Sequence, residues 1–303
     1  MRATVIFALI ALLMGSCSVT QKQTAALKKN TYFIQAPITK LSSIQSPCID
    51  VEIDSKRFSM ELDLGFRGDL SISEVDHLTK KSFIFERLVH GIRGKQYPVK
   101  VYRIPKATIG KMTFITPNLE KENRAFIQDS TFVASGGSPS PREEGRIGWQ
   151  LFRKVNLLID MKNARIAFCD SLDTLEKEGY LIEKFTKTPL ILDNGLVQII
   201  GDGPEGTLHC MLDTGATWNI LNRAIGPDQS LDEALWKPEN ILELSCFKIA
   251  EEDFGPLNFR QMPIHLPFLV DAILGVEFFE KTTVYLDFVR GFAYFAKDPA
   301  LNK

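Results

Sequence analysis

From about residue 48 the chain runs in short stretches where apolar and polar side chains alternate, punctuated by turn formers. Cys48-Ile49-Asp50-Val51-Glu52-Ile53 alternates, Asp54-Ser55-Lys56-Arg57 makes a turn, and Phe58-Ser59-Met60-Glu61-Leu62 alternates again. A period of two broken by polar turns predicts half-buried strands joined as hairpins, and its recurrence to the C-terminus predicts an all-β chain. Before it, residues 18–47 are polar and mixed, and read as a tether with one strand near Tyr32-Phe33-Ile34.

The pattern also repeats. The first hairpin runs directly into Asp63-Leu64-Gly65. Further on, Leu196-Val197-Gln198-Ile199-Ile200, a Gly/Pro turn and Thr207-Leu208-His209-Cys210-Met211-Leu212 run directly into Asp213-Thr214-Gly215. A second matched pair follows: Gly145-Arg146-Ile147-Gly148-Trp149-Gln150-Leu151-Phe152 in the first half, and Ala272-Ile273-Leu274-Gly275-Val276-Glu277-Phe278-Phe279 in the second. After each come a strand ending in Asp (Asp160, Asp287), a turn and a last apolar strand. A repeat this long means two related domains, since solenoid units are far shorter. The expected organisation is a first lobe over 48–170, a connector over 171–189 with a short helix near Ser171 to Glu178, and a second lobe over 190–303. Ser135-Gly136-Gly137-Ser138-Pro139-Ser140-Pro141 reads as a flexible loop inside the first lobe.

The Asp-x-Gly segments give the pattern a chemistry. Leu212-Asp213-Thr214-Gly215-Ala216-Thr217, behind an apolar strand and followed by Ile273-Leu274-Gly275, resembles the aspartic proteases, pepsin-like and retropepsin-like alike. The resemblance covers most of the chain after about residue 48. It implies a two-lobed acid-protease β-barrel fold with a central cleft, and hydrolysis of peptide or protein substrates by two carboxylates around one water, with no cofactor and no metal. Two carboxylates a few ångströms apart cannot both ionise, so one serves as base and the other as acid. By resemblance Asp213 and Asp63 are the catalytic pair, Thr214 braces the opposite lobe, Gly65 and Gly215 close the loops, and Gly148 and Gly275 pack behind them.

The first lobe departs from that pattern. Leu64 stands where the family has its bracing Thr, so at most half of the brace is expected, and Phe66 stands where a small or hydroxylated residue is usual. Val89 to Val99 has the polar, Gly-containing turn of a flap hairpin, with Tyr97 as the flap aromatic, and Ala107 to Phe114 follows as such hairpins are followed in retropepsin-like proteins. Asp63 and Gly148 are 85 residues apart but Asp213 and Gly275 only 62, which matches one flap and one shortened lobe. Three functions fit: an endopeptidase built on Asp63 and Asp213, an inactive peptide-binding lipoprotein that keeps the fold, and a homodimer pairing two Asp213 loops. The repeat argues for a monomer, because two lobes complete the cleft alone. Neither Phe66 nor Ala216 can hydrogen-bond a carboxylate through its side chain, and Leu64 adds apolar surface. The expected activity optimum is therefore mildly acidic to neutral.

Charge and the N-terminus narrow the setting. A formal net charge of −1 provides no field for phosphate backbones, which argues against a nucleic-acid partner. Residues 1–17 read as an export signal: Arg2, an apolar run from Ala3 to Met14, then Gly15-Ser16-Cys17. The junction resembles a bacterial lipobox with Met14 in the usual Leu position. It implies lipidation of Cys17 and an exported, periplasm-facing envelope protein tethered to the membrane, the alternative being a secreted soluble one. Cys48, Cys169, Cys210 and Cys246 have neither zinc nor CxxC spacing. They are expected as buried thiols, or as the pairs Cys48–Cys169 and Cys210–Cys246. The four histidines are scattered, with no metal-ligand spacing.

Overall fold

The computed structural model describes residues 32–42, 45–72, 81–90, 96–121, 145–223, 240–266 and 269–297. The export signal, Cys17 and the loop 135–141 lie outside them.

The described chain forms three sheets. A ten-stranded sheet draws all its strands from Lys40 to Gly148, and a nine-stranded sheet draws all of its own from Ile191 to Leu274. The two share one wiring. In the first, the hairpin Pro47–Ile53 and Lys56–Asp63 leads into the Asp loop, and Leu70–Ile72 leaves it. Gly145–Gly148 then inserts between them, parallel to Lys56–Asp63 and antiparallel to Leu70–Ile72. Asn118–Lys121 pairs parallel on the far side of Leu70–Ile72. The second repeats this with Leu196–Gly203, Gly206–Leu212, Ile220–Asn222, Ala272–Leu274 and Leu257–Met262. The fold is therefore all-β and two-lobed, with the repeat seen in sequence realised as a repeat of topology.

Local chemistry explains the hairpins. Asp54 and Ser55 both have positive φ (50° and 63°), the conformation a two-residue hairpin turn needs to match strand twist. Asn194 and Gly195 (φ 51° and 76°) do the same between Ile191–Asp193 and Leu196–Gly203. The strands leading to each aspartate end in fully buried runs. Met60 and Leu62 precede Asp63, and Cys210 and Leu212 precede Asp213, all at 0% exposure.

The third sheet joins the lobes. Its six antiparallel strands run Phe33–Pro37, Arg165–Cys169, Asn156–Asp160, Thr283–Asp287, Phe292–Ala296, Thr186–Pro189. Each half of the chain supplies three, and the halves meet where Leu157, Leu158 and Ile159 pair with Leu286, Tyr285 and Val284. All six of those residues are fully buried. Phe33–Pro37 fulfils the strand expected in the tether, and the helix Leu172–Lys177 falls where a short helix was expected. Thr186–Pro189, read from sequence as connector, is this sheet's edge strand. Proline is tolerated there because an edge strand has amide positions that need no partner.

Cys48, Cys169 and Cys210 are buried and Cys246 half-buried, and all four are free thiols, so neither disulfide pairing forms. Among the described residues no helix is long and apolar enough to cross a membrane. Nor is any group of three or more His, Cys, Asp or Glu arranged to hold a metal ion.

Candidate active site

Asp63 ends the strand Lys56–Asp63 and Asp213 directly follows the equivalent strand Gly206–Leu212, and the loops after them meet at the junction of the lobes. Each loop turns in the same way: the Phe66 N–H donates to the Asp63 carbonyl (3.1 Å) and the Ala216 N–H to the Asp213 carbonyl (3.2 Å). Each also brings backbone N–H groups onto its carboxylate. Phe66 N–H donates to Asp63 Oδ1 at 2.9 Å and Gly215 N–H to Asp213 Oδ1 at 2.8 Å. The two carboxyls come within hydrogen-bonding range of each other, and the Gly65 backbone lies against Asp213.

The glycines explain why the loops can face so closely. A Cβ on Gly65 would lie 2.5 Å from the carboxyl carbon of Asp213, and one on Gly215 would lie 2.5 Å from that of Asp63. Each glycine therefore makes room for the other lobe's aspartate. Behind the loops the arrangement is again paired. A Cβ on Gly148 would strike the Gly68 carbonyl oxygen at 2.1 Å, and one on Gly275 the Trp218 carbonyl oxygen at 2.3 Å. The Gly148 N–H donates to the Asp69 carbonyl (2.9 Å) and the Gly275 N–H to Asn219 Oδ1 (3.0 Å).

Thr214 is fully buried and crosses the interface. Its hydroxyl donates to the Leu62 carbonyl at 2.6 Å and accepts from the Leu64 N–H at 3.1 Å, so both its hydrogen-bonding roles are filled by the first lobe. Leu64 returns nothing of the kind; its side chain is buried at 0% exposure in the main apolar cluster. A second tie lies nearby, where the Trp149 indole donates to the Gly195 carbonyl at 2.8 Å and its ring stacks on Phe288.

The electrostatics of the two aspartates differ. Asp213 keeps some accessible surface, yet protein packs around it densely. That burial raises its pKa well above the ordinary carboxyl range, and the charge of Asp63 raises it further. Asp63 is 6% exposed and has a cation beside it: Arg146 Nη1 lies 3.3 Å from Asp63 Oδ2. The guanidinium also sits 5.6 Å from the centre of the Phe66 ring. The sequence offers Leu64 as apolar surface beside Asp63 and gives no sign of this cation, which the structure adds. Arg146 comes from the strand behind the loop, whose parallel register sets Gly148 opposite Asp63 and Arg146 opposite Glu61. Superposing the two halves of the repeat would have flagged it, because Arg146 holds the place of Ile273. A second pair, Arg87–Glu120 at 2.5 Å, also went unread; burial pushes the Glu120 carboxyl up even against the pull of Arg87.

A hairpin stands where the flap is expected, Ser82–His90 paired with Gln96–Arg103, and Tyr97 stands opposite Val89. Its tip, 91–95, and the side chain of Tyr97 lie outside what is described. Lys106–Ile109 and Met112–Ile115 form the hairpin expected to follow.

Two topologically equivalent lobes, each closing one Asp-x-Gly loop and together sharing a six-stranded sheet, define the two-lobed, pepsin-like acid-protease fold. A comparison with solved structures agrees. The crystal structure of basic 7S globulin from soybean matches with a TM-score of 0.54 at 10% sequence identity, over 89% of this chain and 96% of that one. No protein-family model and no curated protein sequence matches the chain. The shared fold does not by itself carry an activity.

Proposed function

We propose that the chain is an aspartic endopeptidase that hydrolyses peptide bonds with Asp63, Asp213 and one water. The reciprocal fit of the loops carries this reading. Gly65 makes room for Asp213 and Gly215 for Asp63, so that two carboxyls from opposite lobes come within hydrogen-bonding range of each other. A pair that holds one proton between two acids carries a single negative charge and contains a base and an acid side by side. The ionised member takes a proton from water while the water oxygen bonds to the peptide carbonyl carbon. The protonated member gives its proton to the carbonyl oxygen, which makes a gem-diol. On collapse, a diol hydroxyl returns its proton to the acid, and the former base protonates the leaving nitrogen as the C–N bond breaks. The dyad ends as it began.

One observation favours a second reading, a peptide-binding protein without turnover: the guanidinium of Arg146 already occupies an oxygen of Asp63. Incubating the protein with a diverse peptide library and reading products by mass spectrometry separates the two. The peptidase reading expects cleavage at defined bonds, lost in both Asp63→Asn and Asp213→Asn, by about 10²-fold or more. Bound but intact peptides at every pH favour the binding protein. The setting proposed for either is the periplasmic side of an envelope membrane, through a lipid on Cys17. Cys17→Ser should release the folded protein from membranes, and a variant that stays membrane-bound counts against the anchor.

A further inference from the structure

Arg146 has a consequence for the dyad beyond occupying a carboxylate oxygen. We propose that it is a positioning residue that holds the dyad's single negative charge on Asp63 and leaves the shared proton on Asp213. Given the peptidase reading, on which this consequence rests, Asp63 is then the base that takes the proton of water and Asp213 the acid that protonates the carbonyl.

The geometry is that of a built contact. Arg146 and Asp63 have side chains only 16% and 9% exposed, with Nη1 3.3 Å from Oδ2. The Phe66 ring lies beside the guanidinium and the Phe66 N–H holds the other carboxylate oxygen, so both oxygens of Asp63 accept from donors suited to a charged acceptor. Other anions lie near Arg146, and its charge also pulls down the Glu120 carboxyl. Glu120, on Asn118–Lys121, is paired with Arg87, which also donates to the Arg67 carbonyl. Asp69 accepts from the Asn118 N–H at 2.8 Å. Glu61, opposite Arg146 in the parallel register and 7% exposed, is a further acid on the same side of the sheet. The nearby cations are Arg67 and Arg87, whose mutual repulsion lowers the pKa of Arg67 after burial has done so.

At the matching positions the second lobe offers Asp213 no equivalent. The positions matching Glu61 and Arg146 are Met211 and Ile273, paired in the same register. They belong to an apolar cluster with Leu196, Ile220, Met262, Ile264 and Val270, against which Ala216 packs. When two carboxyls share one proton, it resides where the negative charge is least stabilised. A guanidinium on one side and an aliphatic floor on the other settle which that is. The burial that raises the Asp213 carboxyl acts in the same direction.

The test uses full-length protein labelled with ¹³C at aspartate carboxyls, the resonances being assigned with Asp63→Asn and Asp213→Asn. In the unaltered protein at mildly acidic pH, Asp63 should report as ionised and Asp213 as protonated. Arg146→Met and Arg146→Gln should both move Asp63 toward the protonated position. In a peptide-cleavage assay the acidic limb of kcat/KM should rise by about one pH unit, roughly tenfold lost activity on that limb. Arg146→Lys, which keeps the charge but not the planar fork, should restore most of both. Should Met not be tolerated at a site so enclosed, Gln and Lys still give opposite results. Asp213 ionised with Asp63 protonated in the unaltered protein overturns the proposal. So do Arg146→Gln resonances and pH limb identical to those of the unaltered protein. If no peptide is cleaved at all, the peptidase reading fails while the carboxyl resonances still decide where the charge lies.

Discussion

The two lobes have the same strand wiring and loops that turn in the same way, but they hold their aspartates by different means. In the second lobe the residue after Asp213 is a buried threonine that grips the first lobe through two hydrogen bonds, and the floor beneath is aliphatic. In the first lobe the residue after Asp63 is a buried leucine that contributes packing alone, and the matching floor positions carry Glu61 and Arg146. One lobe therefore supplies the interlobe clasp and the other an ionic support. A duplicated fold needs both glycines, because each accommodates the opposite carboxyl, but it does not need both threonines. That difference separates what the architecture requires from what one lobe can supply for two.

The largest effect should come from what the lobes share. Gly65→Ala and Gly215→Ala each place a methyl carbon 2.5 Å from the opposite carboxyl carbon, closer than any real contact. Both should abolish cleavage, and each should destabilise the protein by more than about 1 kcal/mol through overpacking at the lobe junction. Denaturant titration with an activity assay checks this, and a tolerated alanine in either loop would break the symmetry argued above.

A smaller effect should follow from what the lobes do not share. Thr214→Val keeps the shape but removes both interlobe hydrogen bonds, leaving the Leu62 carbonyl and Leu64 N–H buried without that partner. The expected loss is about 1–3 kcal/mol in denaturant-unfolding free energy. Leu64→Thr, which gives the first lobe the counterpart of Thr214, should not recover stability. Its possible gain is one hydrogen bond of about 1 kcal/mol, set against lost burial and a partly filled cavity worth about 2–3 kcal/mol. A stabilised Leu64→Thr variant would show that the first lobe lacks its clasp for some reason other than packing.

How far the sequence revealed this differs between the same lobes. Asp213 was legible because everything that frames it is local: an apolar strand before, Thr-Gly after, and a second apolar-Gly motif in the same half. The duplication exposed Asp63 despite Leu64, since the flanking strands repeat even where the loop residue does not. The repeat marks Arg146 as a departure from Ile273, but what it touches was illegible for a geometric reason. Its contact with Asp63 depends on a parallel pairing between strands 83 residues apart, and a charged residue within an otherwise apolar run says nothing about which strand it faces. Thr186–Pro189 was read as connector because a short polar segment ending in proline has weak strand character; its place at the edge of the shared sheet is imposed by Phe292–Ala296 alongside it.

The central claim is that the lobes build one dyad that recognises a tetrahedral centre through both carboxyls. The most direct measurement is calorimetric titration with two matched peptides, one with an ordinary amide and one with a hydroxyl-bearing tetrahedral carbon in place of the scissile carbonyl. A hydrolytic dyad should bind the tetrahedral peptide at least about 100-fold more tightly than the amide, and both Asp63→Asn and Asp213→Asn should erase that preference. Equal affinity for the two peptides, or a preference that survives loss of either carboxylate, would contradict the account and leave a cleft that binds peptides without acting on them.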